Sequence, residues 1–137
     1  VACGSDNDGS VAPVLADATA TGRELATKFI SILQEGDRAQ LDAFLDDAFQ
    51  IQRADGSGAT KSEYLDNPAK VSSFELGPTV IAVQHGNVLT VRWSLMVDEI
   101  INGQKAGKGE APRLSTFVWE GGDWHLLAHA NFNTADR

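Results

Sequence analysis

The stretch that decides the fold runs from Arg113 to Phe132 and reads RLSTFVWE, then GGD, then WHLLAHANF. Two runs rich in β-branched and aromatic residues flank a short glycine turn, which is the pattern of a β-hairpin. The second run also carries two of the chain's three histidines, His125 and His129. We therefore expect this hairpin to end a curved sheet on which helices from the start of the chain pack.

Strict alternation along the second arm predicts two faces. The first would hold Trp124, Leu126, Ala128, Ala130 and Phe132, and the second would hold His125, Leu127, His129 and Asn131. One face would line the interior of the fold and the other its outer surface, and alternation does not decide between them. On one strand His125 and His129 would lie about 13 Å apart. That separation is too large for one ion, so we predict no metal site.

The bulk composition is that of an acidic globular domain. The chain has 137 residues, 42% of them hydrophobic, and a formal net charge of −8. This length is typical of one domain with its own core. A strongly acidic chain lacks the Lys and Arg excess that binding to phosphates requires, so we expect no nucleic-acid partner. No apolar run approaches the roughly 18 residues of a membrane-spanning helix.

The first residues, VACGSDNDGS, place the chain's one cysteine, Cys3, after small residues and before a polar run. This pattern resembles the lipidation site of bacterial lipoproteins, with Cys3 as the lipid anchor. A stray cysteine in an arbitrary stretch is the alternative. On the first interpretation residues 1–15 form a flexible tether, residues 16–137 form the single domain, and the protein is periplasmic or extracellular, attached to the bacterial envelope or secreted.

Helices are predicted before the strands. Thr21-x-x-Glu24 has the form of a capping box that opens a helix ended by Gly36, and Asp37 then caps a short second helix. Thr60-x-x-Glu63 opens a brief third helix. Strands are expected near residues 49–52, 73–76, 79–85, 87–101, 113–120 and 124–132, with the buried face of the long strand formed by Leu89, Val91, Trp93, Leu95 and Val97.

The order of these elements resembles the NTF2-like superfamily, an α+β cone of N-terminal helices on a curved antiparallel sheet. Within it the chain is similar to the SnoaL-like and DUF4440-like branches, which share a cystatin-like arrangement. The matching segments are Phe29 to Asp37, Leu41 to Ile51, Gly56 to Leu65, Asn87 to Leu95 and Ser115 to Asn131. The resemblance implies a fold and not an activity, because this superfamily includes isomerases, dehydratases, binding domains and assembly modules.

The ketosteroid isomerase branch of that superfamily implies a tyrosine, a catalytic base and a second acid at three positions. In this sequence they fall at Phe29, at or beside Arg53, and near Ser115. None has the required side chain, and proton abstraction needs both a base and an oxyanion stabiliser. Asp55 lies close to the second position. We therefore do not expect an isomerase of that mechanism.

The candidate ligand-binding residues are aromatic or polar and fall on the third helix and the sheet: Tyr64, Trp93, Phe117, Trp119, His129 and Asn131. Core packing is the alternative for the four aromatic residues, and an exposed or interface position is the alternative for His129 and Asn131. If the protein is an enzyme, the resemblance implies His129 acting with Asp55 or Tyr64, with His129 as a proton donor near neutral pH.

Three functions remain open from the sequence. The first is an envelope-associated domain that binds a small apolar or amphipathic molecule in its cone, without a cofactor. The second is a SnoaL-like hydrolase, isomerase or dehydratase. The third is a homodimeric assembly module without a ligand. The first would be weakened by a cone filled with side chains, and the second by candidate residues that do not converge in one cavity.

Overall fold

The computed structural model describes residues 10–105 and 109–133, which form three helices and one curled sheet. The helices are α1 (Ala18–Glu35), α2 (Arg38–Phe44) and α3 (Lys61–Asp66). The strands are β1 (Leu45–Arg53), β2 (Gly58–Thr60), β3 (Lys70–Leu76), β4 (Ile81–His85), β5 (Val88–Ile101), β6 (Gln104–Lys105), β7 (Ala111–Glu120) and β8 (Asp123–Asn131). The predicted α+β class is confirmed. Strand pairing follows the order β2-β1-β8-β7-β5-β3, and β4 and β6 also pair with β5.

The helix starts agree with the sequence except at the first one. Helix α1 begins after Asp17, whose side chain accepts a hydrogen bond from the Ala20 N–H, so the capping box predicted at Thr21 is wrong. Gly36 ends α1 with a φ of 71°, and Asp37 caps α2, as expected. The capping box at Thr60 also forms. Asp17 is favoured over Thr21 as the N-cap because a helix that begins after Asp17 is one turn longer.

The sheet is antiparallel at most of its pairings, but β1 and β8 run parallel. This pairing joins the first strand of the chain to the last one and sets Ile51 beside His129 and Arg53 beside Asn131. A local pattern cannot predict such a long-range neighbour, since alternation gives the faces of a strand but not its partner.

A β-bulge in β8 changes the faces that alternation predicts. Thr116 pairs with Ala128, whereas the next residue, Phe117, pairs with Leu126, so Leu127 is an extra residue in β8. The bulge brings Trp124 and Leu126 onto the same buried side as His129 and Asn131. The predicted division of the arm into an apolar face and a histidine face is therefore wrong.

The core lies between α1, α2, α3 and the concave side of the sheet. The alternating residues of β5 from Leu89 to Val97 are all buried there, as predicted. Phe29 of α1 stacks near Phe44 of α2, with ring centroids 6.2 Å apart, and Phe44 meets Phe117 of β7 edge-on. Among the described residues, no helix has the length and apolarity needed to cross a membrane.

The segment before α1 is attached to the sheet from its first described residue. The Ala12 N–H donates to Asn87 Oδ1 and the Leu15 N–H donates to Gln84 Oε1, both at 2.9 Å. Ala12 itself is buried. The structure thus differs from the predicted tether over residues 10–15, because two polar side chains of the β4–β5 hairpin bind its backbone. Cys3, the predicted lipid anchor, lies outside the described residues.

Candidate functional site

A polar cluster lines a small cavity between α1, α3 and the concave face of the sheet. Its polar members are Arg53, Tyr64, Glu99, Arg113, His129 and Asn131, and its apolar walls are Phe29, Ile30, Leu33, Ile51, Ala69 and Ile101. The cavity leaves about 10 Å³ for the centre of a water molecule, which is room for about one water. We call these six polar side chains the cone cluster. The cone is therefore almost filled.

Neighbouring strands bring the cone cluster together. Asn131 of β8 is the register partner of Arg53 on β1 and of Arg113 on β7, so these three residues form a row across the sheet. All three are at least nine-tenths buried. Since Asn131 follows the bulge in β8, the bulge is what places the centre of this row inside the cone.

Arg113 and Glu99 form a buried ion pair at one side of the cavity. Arg113 Nη2 lies 3.4 Å from Glu99 Oε1, and both side chains are almost fully buried. Arg113 Nη1 also donates to the backbone oxygens of Ala111 and Pro112. Burial lowers the pKa of Arg113 to about 10 against the opposing effect of Glu99, so this guanidinium stays charged at neutral pH.

His129 is held by a chain of hydrogen bonds that reaches the indole of Trp93. Trp93 Nε1–H donates to Ser115 Oγ at 3.0 Å, and Ser115 Oγ lies 2.8 Å from His129 Nδ1. Because the hydroxyl accepts from the indole, we assign its own proton to the hydrogen bond with Nδ1, and with this assignment the proton of the neutral ring lies on Nε2. The His129 ring also meets Phe29 edge-on at 5.1 Å.

Burial lowers the pKa of His129 to about 3, and the nearby charges of Arg113 and Arg53 lower it further in the same direction. The ring is therefore neutral near pH 7. Donating a proton near neutral pH, the role considered for His129 from the sequence, requires an imidazolium, and this environment disfavours that form. The neutral ring can still donate a hydrogen bond from Nε2.

Tyr64 closes the cavity from α3. Its side chain is 1% exposed, its ring lies 5.6 Å from that of Phe49, and its hydroxyl oxygen accepts from the Ala69 N–H at 3.4 Å. Burial raises the pKa of Tyr64, so the hydroxyl stays protonated. The group can donate a hydrogen bond, but it does not supply a base.

The candidate residues from the sequence separate into two groups. Tyr64, His129 and Asn131 line the cavity. Trp93 is connected to His129 through the hydroxyl of Ser115. Phe117 is fully buried in the core, and Trp119 packs edge-on against Trp124 at the turn end of the hairpin. Neither Phe117 nor Trp119 lines the cavity.

Asp55 is exposed in the turn after β1, where its side chain accepts from the Ser57 N–H. That hydrogen bond lowers the pKa of Asp55. Asp55 does not line the cavity. The structure therefore does not bring His129 and Asp55 together in one cavity.

Sequence reasoning missed Arg53, Glu99 and Arg113 as cavity residues. Two sequence signals could have identified Glu99 and Arg113. Glu99 continues the buried alternation of β5 by one more step after Val97, and Arg113 shares a face of β7 with Ser115 and Phe117. The three positions where the isomerase branch would hold its catalytic groups do converge here, because Phe29 and Arg53 line the cavity and Ser115 contacts His129.

His125 lies away from the cone cluster, in an open cleft of about 340 Å³ lined mainly by Asp42, Asp46, Asp47, Lys61 and Glu120. Both of its ring nitrogens face backbone oxygens at 3.0 Å, those of Ala43 and Glu120. The expected spacing of 13 Å on one face does not apply, since the bulge lies between the two histidines. Within residues 10–105 and 109–133, no group of three or more His, Cys, Asp or Glu side chains could hold a metal ion.

Solved structures with the same architecture are numerous. An NTF2-like protein from Cytophaga hutchinsonii aligns with a TM-score of 0.73 and 14% identity, over 85% of this chain and 97% of the other. An NTF2-like protein of unknown function in nutrient uptake from Rhodospirillum rubrum aligns with a TM-score of 0.68 and 18% identity, over 85% and 98%. This chain has the NTF2-like fold.

A third solved structure, an NTF2-like protein with a cystatin-like fold from Novosphingobium aromaticivorans, aligns with a TM-score of 0.58 and 15% identity, over 80% of this chain and 77% of the other. The sequence matches no protein-family model and no curated protein. The predicted superfamily resemblance is therefore confirmed at the level of the fold. The SnoaL-like or DUF4440-like branch stays a prediction.

Proposed function

We propose that this NTF2-like domain binds a small amphipathic molecule whose polar head enters the cone, and that it does so without catalysis. The observation that carries the proposal is the cone cluster, six polar side chains around a buried cavity with apolar walls. Ligand sites combine apolar walls with a few convergent polar groups in this way. The same groups in a purely structural core would be an expensive arrangement, because buried polar and charged groups need partners.

The protonation states of the cluster favour binding over acid–base chemistry. His129 is neutral with a pKa of about 3, so it is a weak base and holds no proton to give near pH 7. Tyr64 keeps its proton because burial raises its pKa. A general acid or base works best with a pKa near the operating pH, and neither group meets that condition. These states favour binding over the alternative of a SnoaL-like hydrolase, isomerase or dehydratase.

The size of the cavity limits what can enter it. One water fills it in the closed form, so a molecule of many atoms would require the lining side chains to move. We therefore propose that only the head of the ligand reaches the cone cluster and that its apolar part lies toward the rim. The almost filled cone counts against the apolar pocket expected from the sequence, and the proposal is therefore restricted to the polar head of a ligand.

Nuclear magnetic resonance titration tests the proposal with 1-octanol and octanoate as probes on ¹⁵N-labelled protein. Binding in the cone is expected to shift the indole N–H of Trp93 and the amides of Ile51 and His129. Ala69→Leu, which adds bulk to the cavity wall, should reduce these shifts at least tenfold. Ala130→Leu on the outer side of β8 is the matched control. Shifts that are absent, or that persist in Ala69→Leu, would contradict binding in the cone.

A second candidate function is a homodimeric assembly module, and an open groove on the outer side of the sheet favours it. The groove measures about 200 Å³ and is lined mainly by Gln50, Gln52, Leu114, Thr116, Ala128 and Ala130. The Leu114 side chain is 42% exposed there. We propose that two chains pair across this face. Light scattering after size exclusion should give a dimer mass, and Leu114→Glu should give the monomer; a monomeric wild type would refute the pairing.

We also propose that the protein is attached to the bacterial envelope through a lipid on Cys3. The support is the sequence pattern around Cys3 alone. Cells expressing the complete gene product should incorporate labelled palmitate into it, and Cys3→Ser should abolish the label and release the protein from membranes. Equal labelling of both forms would contradict lipidation at Cys3.

A further inference from the structure

We infer that Arg53 is a binding site for one monovalent anionic group inside the cone. The inference rests on the proposed binding function and specifies the chemical class of the ligand head. Arg53 is the last residue of β1, is 8% exposed and lines the cavity. Its Nε has no hydrogen-bond partner, and no carboxylate of the described residues forms an ion pair with it.

The backbone around Arg53 fixes the position of this side chain. Its N–H donates to the Ser57 oxygen at 2.8 Å, and its own carbonyl accepts from the Gly56 N–H at 3.0 Å. On the neighbouring strand, Asn131 is its register partner. The guanidinium is thus attached to a rigid corner and not to a mobile loop end, which is how binding residues are preorganised.

Arg113 provides the internal comparison, because it is equally buried but fully partnered. It pairs with Glu99 and donates to two backbone oxygens. The same Glu99 Oε1 also lies 3.4 Å from Asn133 Nδ2. The one carboxylate that lines the cavity is therefore already paired with Arg113. Arg53 interacts electrostatically with Asp55, whose pKa it helps to lower, but Asp55 is exposed and does not line the cavity.

The charges around the cavity leave an excess of one positive charge. Two guanidinium groups and one carboxylate line it, and His129 and Tyr64 are uncharged near pH 7. A buried charge without a counter-charge is strongly unfavourable, so one bound negative charge would compensate it. A dianion such as hydrogen phosphate would overcompensate and would also exceed the available space.

The other groups around the cavity suit an anion. His129 presents its Nε2–H, because Nδ1 is occupied by Ser115. Asn131 uses its Oδ1 to accept from the Asn133 N–H at 2.7 Å, so its amide nitrogen is the side that can donate. The water-sized space matches one chloride ion or one carboxylate oxygen. The shared chemistry is a compact monoanion, either free or as the head of a longer molecule.

Thermal unfolding at constant ionic strength tests the inference, with sodium gluconate replaced stepwise by chloride, formate, butyrate or octanoate. An anion that binds the folded form raises the melting temperature in a saturable way. We expect this rise for wild type, at least a tenfold weaker response in Arg53→Met, and an unchanged response in Arg92→Met, which removes an exposed arginine from the outer side of β5. We also expect Arg53→Met to melt higher than wild type in gluconate, because it lacks the unpaired charge.

The outcomes separate the possible sources and the two proposals. Affinity that rises from formate to octanoate assigns the site to the head of an amphipathic ligand, and affinity highest for chloride or formate assigns it to a free ion. If 1-octanol binds the cone but no anion stabilises the protein, the inference fails and the proposed function stands. Equal anion responses of Arg53→Met and Arg92→Met, or a wild type without any response, overturn the inference. If Arg53→Met does not fold, Arg53→Gln replaces it in the same comparison with Arg92→Met. Broadening of the ³⁵Cl signal by wild type then tests chloride binding directly, and its absence counts against the inference.

Discussion

Replacing His129 and measuring how the stability then depends on pH is the sharpest test of how the cone is built. In the folded protein its pKa is about 3, against an ordinary value of 6.5 for the unfolded chain. Below pH 6.5 the His129 ring therefore becomes protonated in the unfolded chain but stays neutral in the folded protein. The free energy of unfolding is unaffected by this group above pH 6.5 and falls as the pH drops from 6.5 toward 3.

The size of the effect follows from that difference. Each pH unit within the window lowers the stability by about 1.4 kcal/mol, so from pH 7 to pH 4.5 the loss is about 2.5 kcal/mol. Capping hydrogen bonds lower the pKa of Asp37 and Glu63, whereas the neighbouring Asp46 carboxyl raises the pKa of Glu120. Carboxyl groups therefore also contribute near pH 4.5, and the contribution of His129 is obtained as the difference between wild type and a variant that lacks this ring.

Urea unfolding at pH 7, 5.5 and 4.5 measures the prediction in wild type and His129→Asn. The asparagine oxygen can occupy the place of Nδ1 and accept from Ser115, but it does not titrate. The stability difference between the two proteins should shift by about 2.5 kcal/mol in favour of the variant across the window. His85→Asn, at an exposed position, is the matched control and should keep the wild-type pH dependence.

Parallel losses of stability in wild type and His129→Asn would refute the reasoning, because they would mean that His129 is solvated or already charged in the folded protein. The ¹H–¹³C signal of its ring provides a direct check. It should stay at the neutral position down to pH 4.5, and a midpoint above pH 5.5 would contradict burial as the cause.

Three further substitutions test other parts of the fold by urea unfolding at pH 7. Glu99→Gln should destabilise by about 3 kcal/mol, because it leaves the Arg113 charge buried without its counter-charge; Asp98→Asn, which breaks only a half-exposed contact, should change the stability by less than about 1 kcal/mol. Gly36→Ala should cost about 1 kcal/mol, since φ is 71° at the end of α1, and no loss would show that this turn relaxes. Thr60→Ala should cost about 1 kcal/mol through the lost capping box, and an unchanged midpoint would dismiss that box as a stabilising feature.

Much of the fold was readable from local patterns. Gly36 and Asp37 mark the corner between two helices because their chemistry suits a left-handed cap followed by an N-cap. The buried alternation of β5 predicted the concave face correctly. These features depend on neighbours within a few residues, which is why sequence alone suffices for them.

The cone cluster was only half predictable, and the reason is the bulge at Leu127. Alternation counted through it assigns Leu126 and His129 to opposite faces, whereas the structure buries both. A single extra residue in a strand has no strong sequence signal here, since Leu127 and its neighbours suit a regular strand equally well. The parallel pairing of β1 with β8, which brings Arg53 to Asn131, depends on the whole topology and was likewise hidden.

The residues at three particular positions favour the proposed binding function. The isomerase branch would place a tyrosine, a base and an acid where this chain has Phe29, Arg53 and Ser115. The structure places Phe29 and Arg53 in the cavity wall and Ser115 in contact with His129 behind it. The side chains on it are a hydrophobic wall, a permanent cation and a hydroxyl already engaged with His129. This set lacks the carboxyl groups and the tyrosine that proton abstraction on that branch requires, and it suits the binding of a negative charge that we propose.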